Sequence, residues 1–339
     1  MTERSSTGPV LCAICGGTAV PRGVVPGYRE PDVFTVVECG GCRASFAQPL
    51  AVDASIYEQV YRHRQQTPGY ARYERMADEV AKLPDPLAWL QQKEAMYWAV
   101  ATALRELPRG ARVLEIGSGL GYTTHALATA GFDAHGIDLS HEAVGHAVRR
   151  FGPRYRQGDA MQIAQQEQGT WDALIATELI EHLVDPVAFV AGIRPLLRPG
   201  GRIVLTTPDK DIYRPGTLWQ SDLPPVHLWW FGADSMRKLA ERVGMSMQLL
   251  DFSEYHRAKP DAARVLWPAG EVLPQPRLRA DGTPSAEAEP HGMARYFPQQ
   301  HIGWRQRLRW LLYQCTPGRR PPLTRRARTM GIVLQSTAS

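Results

Sequence analysis

The sequence lacks any long run of apolar residues. Its strongest apolar stretches are five to seven residues long, whereas a membrane-spanning helix needs about 20. The first ten residues contain no apolar segment of the kind that marks a secretory signal peptide. A hydrophobic content of 44% is nevertheless enough to form a core, which excludes a mainly disordered chain. We therefore expect a folded, non-exported, cytoplasmic protein without a membrane span.

Cysteine is scarce, with five residues in 339, yet four of them are paired in sequence. Cys12 and Cys15 form one C-x2-C pair, Cys39 and Cys42 form the other, and 23 residues separate the two pairs. Four thiolates complete the tetrahedral shell of a Zn2+ ion, so this spacing predicts a structural zinc ribbon. The alternatives are two disulfides, which the expected reducing compartment disfavours, and redox or other roles. Cys315 stands alone and is expected to be a small buried residue.

Neither charge sign dominates the whole chain, which has 39 basic and 34 acidic residues. The distribution is uneven, because residues 257–339 contain 14 Lys/Arg against 5 Asp/Glu, and residues 1–256 contain 25 against 29. A basic C-terminal region is compatible with an anionic partner, and equally with a solvated surface. Lys-rich runs are absent, which disfavours nucleic acid as the partner without excluding it.

From residue 112 onward, short β-branched runs alternate with helical stretches. Strands are predicted at 113–116, 134–137, 155–157, 171–176 and 202–207, and helices at 122–130, 142–150 and 186–197. Such alternation specifies an α/β fold with a parallel sheet covered by helices. Its ligands bind at the carboxyl ends of the strands, so we expect the active site there.

A glycine-rich loop follows the first of these strands. Gly117, Gly119 and Gly121 give the spacing G-x-G-x-G, which differs from the G-x-G-x-x-G fingerprint of dinucleotide-binding proteins. Asp138 ends the second strand, where a carboxylate can accept from both hydroxyls of a ribose. Asp159 follows the third strand, where it can accept from an adenine amino group. Together these residues describe a nucleoside-binding rim.

Five motifs, in this order, resemble the class I S-adenosylmethionine-dependent methyltransferases over about residues 90–255. They are VLEIGSGLG at 113–121, GID at 136–138, GDA at 158–160, ELIEHLVDP at 178–186 and LRPGG at 197–201. The resemblance implies that the three glycines pass the methionine part of S-adenosylmethionine, that Asp138 binds the ribose and that Asp159 binds the adenine. The implied cofactor-binding set also includes Glu115, Ser118 and Ala160. A zinc ribbon ahead of such a domain looks like a bacterial branch that modifies sugars and secondary metabolites.

The resemblance also implies a Rossmann-like seven-stranded sheet with helices on both faces. It would be completed by an antiparallel strand near 246–252 and a last strand at 331–335. The expected division is a zinc ribbon at 1–50, a helical lid or linker at 51–108, a methyltransferase core at 109–255, a basic insertion at 256–328, and the last strand and tail at 329–339. Within the insertion, 260–298 is expected to be irregular and 303–314 an amphipathic helix.

Two histidines are candidates for catalysis, because imidazole can accept a proton near neutral pH. His182 follows the fourth strand together with Glu178 and Glu181, and His227 lies in the loop after the fifth. Each can instead be structural. Some quinone-pathway methyltransferases with a similar Glu-x-x-Glu-His sequence bind a divalent ion there, so the resemblance adds a metal site at Glu178, Glu181 and His182 as a further alternative.

Trp219, Trp229, Trp230 and Phe231 form a dense aromatic group beside His227. They are expected either to pack in the core or to stack against a ring or sugar face of the acceptor. The first hypothesis is therefore methylation of a small-molecule acceptor, most readily at oxygen, with C- or N-methylation left open. The alternatives are an RNA methyltransferase, a non-enzymatic cofactor-binding scaffold and, least favoured by the glycine spacing, a nicotinamide dehydrogenase.

Overall fold

The computed structural model describes residues 9–63, 66, 71–212, 216–219, 222–259, 274–285, 293–295 and 325–336. The helix expected at 303–314 and Cys315 lie outside these residues. Among the residues that are described, no helix combines the length and the apolar character needed to cross a bilayer.

An antiparallel sheet forms at the N-terminus, and we call its first four strands the N-terminal sheet. They are β1 (Val10–Leu11), β2 (Thr18–Pro26), β3 (Val33–Cys39) and β4 (Ser45–Gln48). The sequence predicts a strand over 33–38 and the start of another at 45–47, and β3 and β4 begin at these positions. The sheet continues beyond β4, because β11 (Trp229–Trp230), which is distant in sequence, pairs with β4.

Four helices connect this sheet to the rest of the fold: α1 (Ala54–Arg62), α2 (Ala71–Val80), α3 (Pro86–Lys93) and α4 (Ala95–Leu104). The Asp85 carboxylate caps α3, and Pro86 occupies its first turn, where no backbone N–H is needed. The spacing of apolar residues over 91–107 is compatible with one amphipathic helix, but residues 91–93 belong to α3 and α4 covers only Ala95–Leu104. Glu94 adopts an extended conformation that separates α3 from α4. Helix α4 is buried on most of its surface because it packs under the central sheet.

The central sheet has seven strands, as expected. They are β5 (Arg112–Ile116), β6 (Asp133–Asp138), β7 (Tyr155–Gln157), β8 (Trp171–Thr177), β9 (Leu197–Pro208), β12 (Met245–Leu249) and β14 (Thr329–Ser336). Their order is β12-β14-β9-β8-β5-β6-β7, with β14 antiparallel to both of its neighbours. The five strands from β5 to β9 are parallel, so their carboxyl ends share one edge.

Helices cover both faces of this sheet. The other α-helices of the described residues are α5 (Tyr122–Thr129), α6 (His141–Phe151), α7 (Ala160–Ile163), α8 (Pro186–Ile193), α9 (Ala233–Arg242) and α10 (Ser253–Ala258). Alternate residues of each strand enter separate cores, as the period of two requires. Val113 packs with Leu127 of α5 on one face, and Leu114 packs with Phe189 of α8 on the other.

The segment before β14 departs from the expected irregular loop. Residues 293–295 form β13 (Met293–Arg295), which pairs with β10 (Thr217–Trp219). Residues 274–285 lie against the N-terminal sheet, where the Arg277 and Leu278 amides donate to the Tyr28 carbonyl. Strand β12 ends at Leu249, earlier than the expected 252, because residues 253–258 form α10.

Candidate active site

The glycine-rich loop and the end of β6 are tied together through one carboxylate. The Gly119 amide donates to Asp138 Oδ2 at 2.8 Å, and the Ser140 amide donates to Oδ1 at 2.8 Å. Burial raises the pKa of Asp138, and these two amides oppose that shift. The loop geometry therefore depends on the residue that the sequence selected for ribose binding.

Two glycines of this loop have different surroundings. A Cβ at Gly121, where φ is +81°, would lie 2.6 Å from Ala147 Cβ and 2.7 Å from the Tyr155 ring. A Cβ at Gly119, where φ is +49°, would have no atom within 4 Å among the described residues. Gly121 is thus required by packing, whereas Gly119 faces open space at the strand edge. This open cradle beside Asp138 fits a nucleoside cofactor.

Glu115 lies near the end of β5, just before the loop. It is 3% exposed, and the Thr124 hydroxyl of α5 donates to its Oε2 at 2.5 Å. Burial raises its pKa to about 7. Ser118 is also buried, and its hydroxyl has no hydrogen-bond partner within the described part of the chain. Glu115 therefore supports the glycine-rich loop from the protein interior, through its hydrogen bond to α5.

Asp159 and Ala160 lie at the start of α7, beside the end of β7. The Asp159 carboxylate caps this helix by accepting from the Met161 amide at 2.8 Å. Ala160 is buried. The adenine contact expected of Asp159 remains a prediction, and any such contact would share the carboxylate with the helix cap.

The loop after β8 brings Glu181 and His182 beside His227, which lies in a segment that we call the His227 loop (residues 222–231). One ligand atom from each of these three residues lies within 4.8 Å of the other two. Glu181 is fully buried, and no described residue donates to either of its carboxylate oxygens. Burial raises its pKa well above 4.5, and repulsion from Glu178 adds to the shift.

The proton positions on His182 follow from its contact with the His227 loop. His182 Nδ1 lies 2.5 Å from the Val226 carbonyl oxygen. A carbonyl oxygen only accepts, so Nδ1 carries the proton. Burial lowers the pKa of His182 to about 3, and His227 contributes to the shift. His182 is therefore neutral at pH 7, and its Nε2 carries a lone pair.

His227 is held edge-on to His182, with ring centroids 4.6 Å apart. Its Nε2 lies 3.9 Å from Asp222 Oδ1, and its Nδ1 is buried without a partner among the described residues. Burial lowers its pKa to about 3. The cluster thus offers two neutral imidazoles beside one carboxyl group.

Glu178 is close to this cluster but does not belong to it. It follows β8 directly with a left-handed φ of +47°, and its amide donates to the Thr206 carbonyl of β9 at 3.0 Å. Burial raises the pKa of its carboxyl group. The metal trio expected at Glu178, Glu181 and His182 is therefore corrected. The structure groups Glu181 and His182 with His227, because the 3₁₀ turn at Ile180–His182 folds against the His227 loop.

The aromatic group beside His227 is used mainly for packing. Trp229 is 1% exposed and Phe231 is fully buried. The Trp229 ring lies 4.8 Å from that of Phe46 and 5.8 Å from that of Phe231, and its Nε1 donates to the Leu183 carbonyl at 2.9 Å. The acceptor-stacking role is therefore corrected for these two residues. Trp230 is 7% exposed, and the Trp219 side chain lies outside the described part of the structure.

Sequence reasoning did not single out Asp222 or Tyr57 for this site. Asp222 is buried next to His227. The Tyr57 hydroxyl, from α1, donates to the same Val226 carbonyl at 3.3 Å, and its ring lies 6.3 Å from that of His182. Asp222 lies five residues before His227, and this is the one sequence signal that could have identified it. Tyr57 is 125 positions from His182, so only the fold identifies it.

The four N-terminal cysteines form a second cluster, away from the strand edge. Their sulfur atoms lie within 4.8 Å of one another, with 3.6 Å between Cys12 and Cys42 and 3.3 Å between Cys15 and Cys39. Four thiolates around one Zn2+ ion are separated by about 3.8 Å, given Zn–S bonds of about 2.3 Å. The contact with Cys42 lowers the pKa of Cys12. Donor type, number and spacing all fit a structural zinc ion.

Comparison with known proteins assigns the central part of the chain. The sequence model of a family described as "Methyltransferase domain" matches residues 72–249, which is 178 of the 339 residues. The chain is 37% identical over 108 residues to a ubiquinone biosynthesis O-methyltransferase of Methylococcus capsulatus, covering 30% of this chain and 46% of that protein. It is 38% identical over 103 residues to the protein of the same name from Aromatoleum aromaticum, covering 29% and 44%. The chain spans less than half the length of these curated relatives.

Among solved structures, the chain is similar to a SAM-dependent methyltransferase from Archaeoglobus fulgidus. The two share 15% sequence identity with a TM-score of 0.42, and the match covers 70% of this chain and 92% of the other.

Proposed function

The chain belongs to the methyltransferase-domain family, and from that membership we propose that it transfers a methyl group from S-adenosylmethionine to an oxygen atom of a small-molecule acceptor. The supporting observation is that one strand edge carries both the Asp138 cradle and the cluster of Glu181, His182 and His227. The name of the two curated relatives favours oxygen as the methylated atom. A sugar or secondary-metabolite acceptor, and a cytoplasmic location, are part of this proposal.

When bound, S-adenosylmethionine would supply an electrophilic methyl group, which the acceptor oxygen would attack in line while the C–S bond breaks and the sulfur leaves as a neutral thioether. The chain contributes binding at Gly119 and Asp138 and must hold the acceptor over β8 and β9. An acceptor hydroxyl loses its proton as the new C–O bond forms. His182 Nε2 is the proposed proton acceptor, because Val226 fixes the proton on Nδ1 and leaves the lone pair on the other nitrogen.

The test measures methyl transfer to a panel of hydroxylated small molecules and to RNA, with transfer detected by mass spectrometry. On the accepted substrate, His182→Ala should lower kcat by about 10²–10⁴ with little change in cofactor affinity. His135→Ala is the matched control, since His135 lies on the amino-terminal half of β6, away from the cluster. Near-wild-type turnover by His182→Ala and by His227→Ala would reject histidine catalysis. Transfer to RNA alone would favour the nucleic-acid alternative.

As an alternative to proton acceptance by His182, whose Nε2 has a single lone pair, we propose that the cluster of Glu181, His182 and His227 binds a divalent cation. A buried carboxyl without described donors and two neutral imidazoles form a donor set suited to a transition metal. Because burial keeps Glu181 protonated, binding should release a proton. Calorimetric titration of Mn2+ or Zn2+ in two buffers of different ionisation enthalpy measures that release. Equal binding by Glu181→Gln would reject the site.

The four cysteines are proposed to hold one structural Zn2+ ion, which makes the N-terminal sheet a zinc ribbon. The chain would then divide as expected into a ribbon at 1–50, a helical part at 51–108, a core at 109–255, an insertion at 256–328 and a final strand and tail at 329–339. With four protein thiolates the ion has no open position, so its role is to hold structure.

A further inference from the structure

The N-terminal sheet reaches into the candidate active site through backbone hydrogen bonds. Strand β4 pairs with β11, so that Phe46 is opposite Trp229 and Ser45 is opposite Trp230. The Ala47 amide donates to the Leu228 carbonyl at 2.9 Å. One side of the His227 loop is therefore an added strand of the N-terminal sheet.

The same sheet also holds the other side of His227. The Tyr28 amide, just after β2, donates to the Pro224 carbonyl at 2.6 Å. The bonds at Pro224 and Leu228 thus bracket His227, three residues before it and one residue after it. The opposite side of the loop is held by the core, where the Leu228 amide donates to the Glu181 carbonyl at 2.8 Å. The His227 loop is therefore hydrogen-bonded on one side to the N-terminal part of the chain and on the other side to the core.

Two of the four cysteines, Cys39 and Cys42, lie in the hairpin of β3 and β4, and Cys12 and Cys15 lie in the turn between β1 and β2. Cys39 is the last residue of β3, and Cys42 precedes the start of β4 by three residues. The Cys39 amide donates to the Ala44 carbonyl at 2.9 Å, which closes the turn between them. A metal ion bound by these thiols would therefore fix the position of β4 relative to β3, and with it the position at which β4 pairs with β11.

Lys210 joins the N-terminal sheet, the core and the His227 loop at a single point. Its ammonium group contacts Glu38 Oε2 at 3.1 Å and Ser45 Oγ at 2.9 Å, and it also donates to the Arg43 carbonyl. Its backbone amide donates to the Phe231 carbonyl at 2.9 Å. Lys210 is therefore a second connection, besides the pairing of β4 with β11, through which a displacement of the N-terminal sheet would reach the end of the loop.

The cofactor cradle has no comparable link to the N-terminal sheet. Among the described hydrogen bonds, none joins β1–β4 to residues 115–122 or to residues 138–140. A change in the N-terminal sheet should therefore affect the two halves of the site unequally.

We propose that the N-terminal sheet, closed by its metal ion, is the positioning element of the acceptor half of the site, and that Lys210 transmits its position to the His227 loop. The assignment of an acceptor to this half rests on the proposed function. The proposal differs from a purely structural role for the zinc ion, because it states that metal loss impairs the acceptor step while cofactor binding persists.

The test compares Lys210→Met with Arg22→Met in the full-length chain. Both cations pair with Glu38, but Arg22 does so at the surface, at 3.0 Å, and does not contact the loop. In Lys210→Met we expect faster amide hydrogen exchange in residues 222–231, unchanged exchange in 115–122, a cofactor Kd within twofold of wild type, and at least a tenfold loss of kcat/KM for the acceptor. Arg22→Met should match wild type in all four.

Metal removal provides an independent measurement. Wild type and Glu181→Gln are treated with a chelator until elemental analysis finds no zinc. Glu181→Gln is included because it lacks one ligand of the other candidate metal site, the cluster of Glu181, His182 and His227. Exchange should rise in 222–231 and stay constant in 115–122 in both proteins. Unchanged exchange in 222–231, or an equal rise in both segments, would overturn the proposal. Failure of wild type to bind S-adenosylmethionine would instead reject the proposed function and leave the exchange result to decide this inference.

Discussion

Replacing Asp138 by Asn should weaken binding of S-adenosylmethionine while leaving the fold intact. An ionised carboxylate offers about four acceptor positions. The amides of Gly119 and Ser140 use two of them, one on each oxygen. Two positions remain, one for each hydroxyl of a ribose. The structure therefore gives this single side chain two functions, one in the loop and one in the cofactor site.

The expected magnitude follows from these contacts. In Asp138→Asn, one carboxylate oxygen is replaced by an NH2 group, which cannot accept a hydrogen bond. The backbone amide that donated to that oxygen, Gly119 or Ser140, loses its acceptor, and so does one hydroxyl of the ribose. Hydrogen bonds to a charged group contribute about 1.5–3 kcal/mol. Loss of the hydroxyl contact alone should therefore weaken binding by about 10- to 150-fold, at about 1.4 kcal/mol for each factor of ten.

Isothermal titration calorimetry of wild type, Asp138→Asn and Asp133→Asn gives the comparison. Asp133 begins the same strand, and its ion pair with Arg112 is largely exposed, so its loss should change little. Unfolding by urea establishes that each variant is folded. Equal cofactor affinity in wild type and Asp138→Asn would refute the ribose assignment, and equal weakening by both variants would refute the argument from position.

Three further predictions concern stability and metal content. Burial raises the pKa of Glu115 from 4.5 to about 7, so the folded chain keeps a proton that the unfolded chain releases above pH 4.5. This contribution to the free energy of unfolding, about 3 kcal/mol, is present below pH 4.5 and is lost as the pH rises through 7. The free energy of unfolding by urea should therefore depend less on pH in Glu115→Gln than in wild type, whereas the exposed control Glu106→Gln should behave like wild type. Gly121→Ala should lower the Tm because its Cβ would lie 2.6 Å from that of Ala147 at a φ of +81°, and a Tm equal to wild type would contradict the packing argument. Elemental analysis should find about one zinc ion per chain, which Cys39→Ser should lose and Cys315→Ser should keep; intact disulfides without zinc would disprove the site.

The elements that carry a strong local pattern were predicted well from the sequence. Strand β8 contains the apolar run 173–176, which is buried on both faces, and the predicted segment 171–176 misses one residue of the strand. The capped start of α6 at His141 lies within one residue of the predicted start. The separation of α3 from α4 was missed, because the break falls at Glu94, which is neither glycine nor proline.

The candidate site was predicted only in part, for a related reason. Asp138 and His182 follow strands whose ends the parallel sheet brings to one edge, so local pattern and fold class together were sufficient. The pairing of Trp229 with Phe46, and the contact of Tyr57 with Val226, join segments more than 160 residues apart. No periodicity in the sequence carries information about such distant contacts. For this reason the sequence left open whether the aromatic residues pack in the core or stack on an acceptor, and only the structure shows Trp229 packed against Phe46 of the N-terminal sheet.

The position of β14 within the central sheet has a consequence for biosynthesis. This strand, residues 329–336, lies between β9 and β12 and hydrogen-bonds to both. Until it has been synthesised, those two strands have open edges that can pair with other chains. The sheet therefore cannot be completed while residues 329–336 remain in the ribosome exit tunnel, and nascent chains stalled before them should depend on chaperones to avoid aggregation.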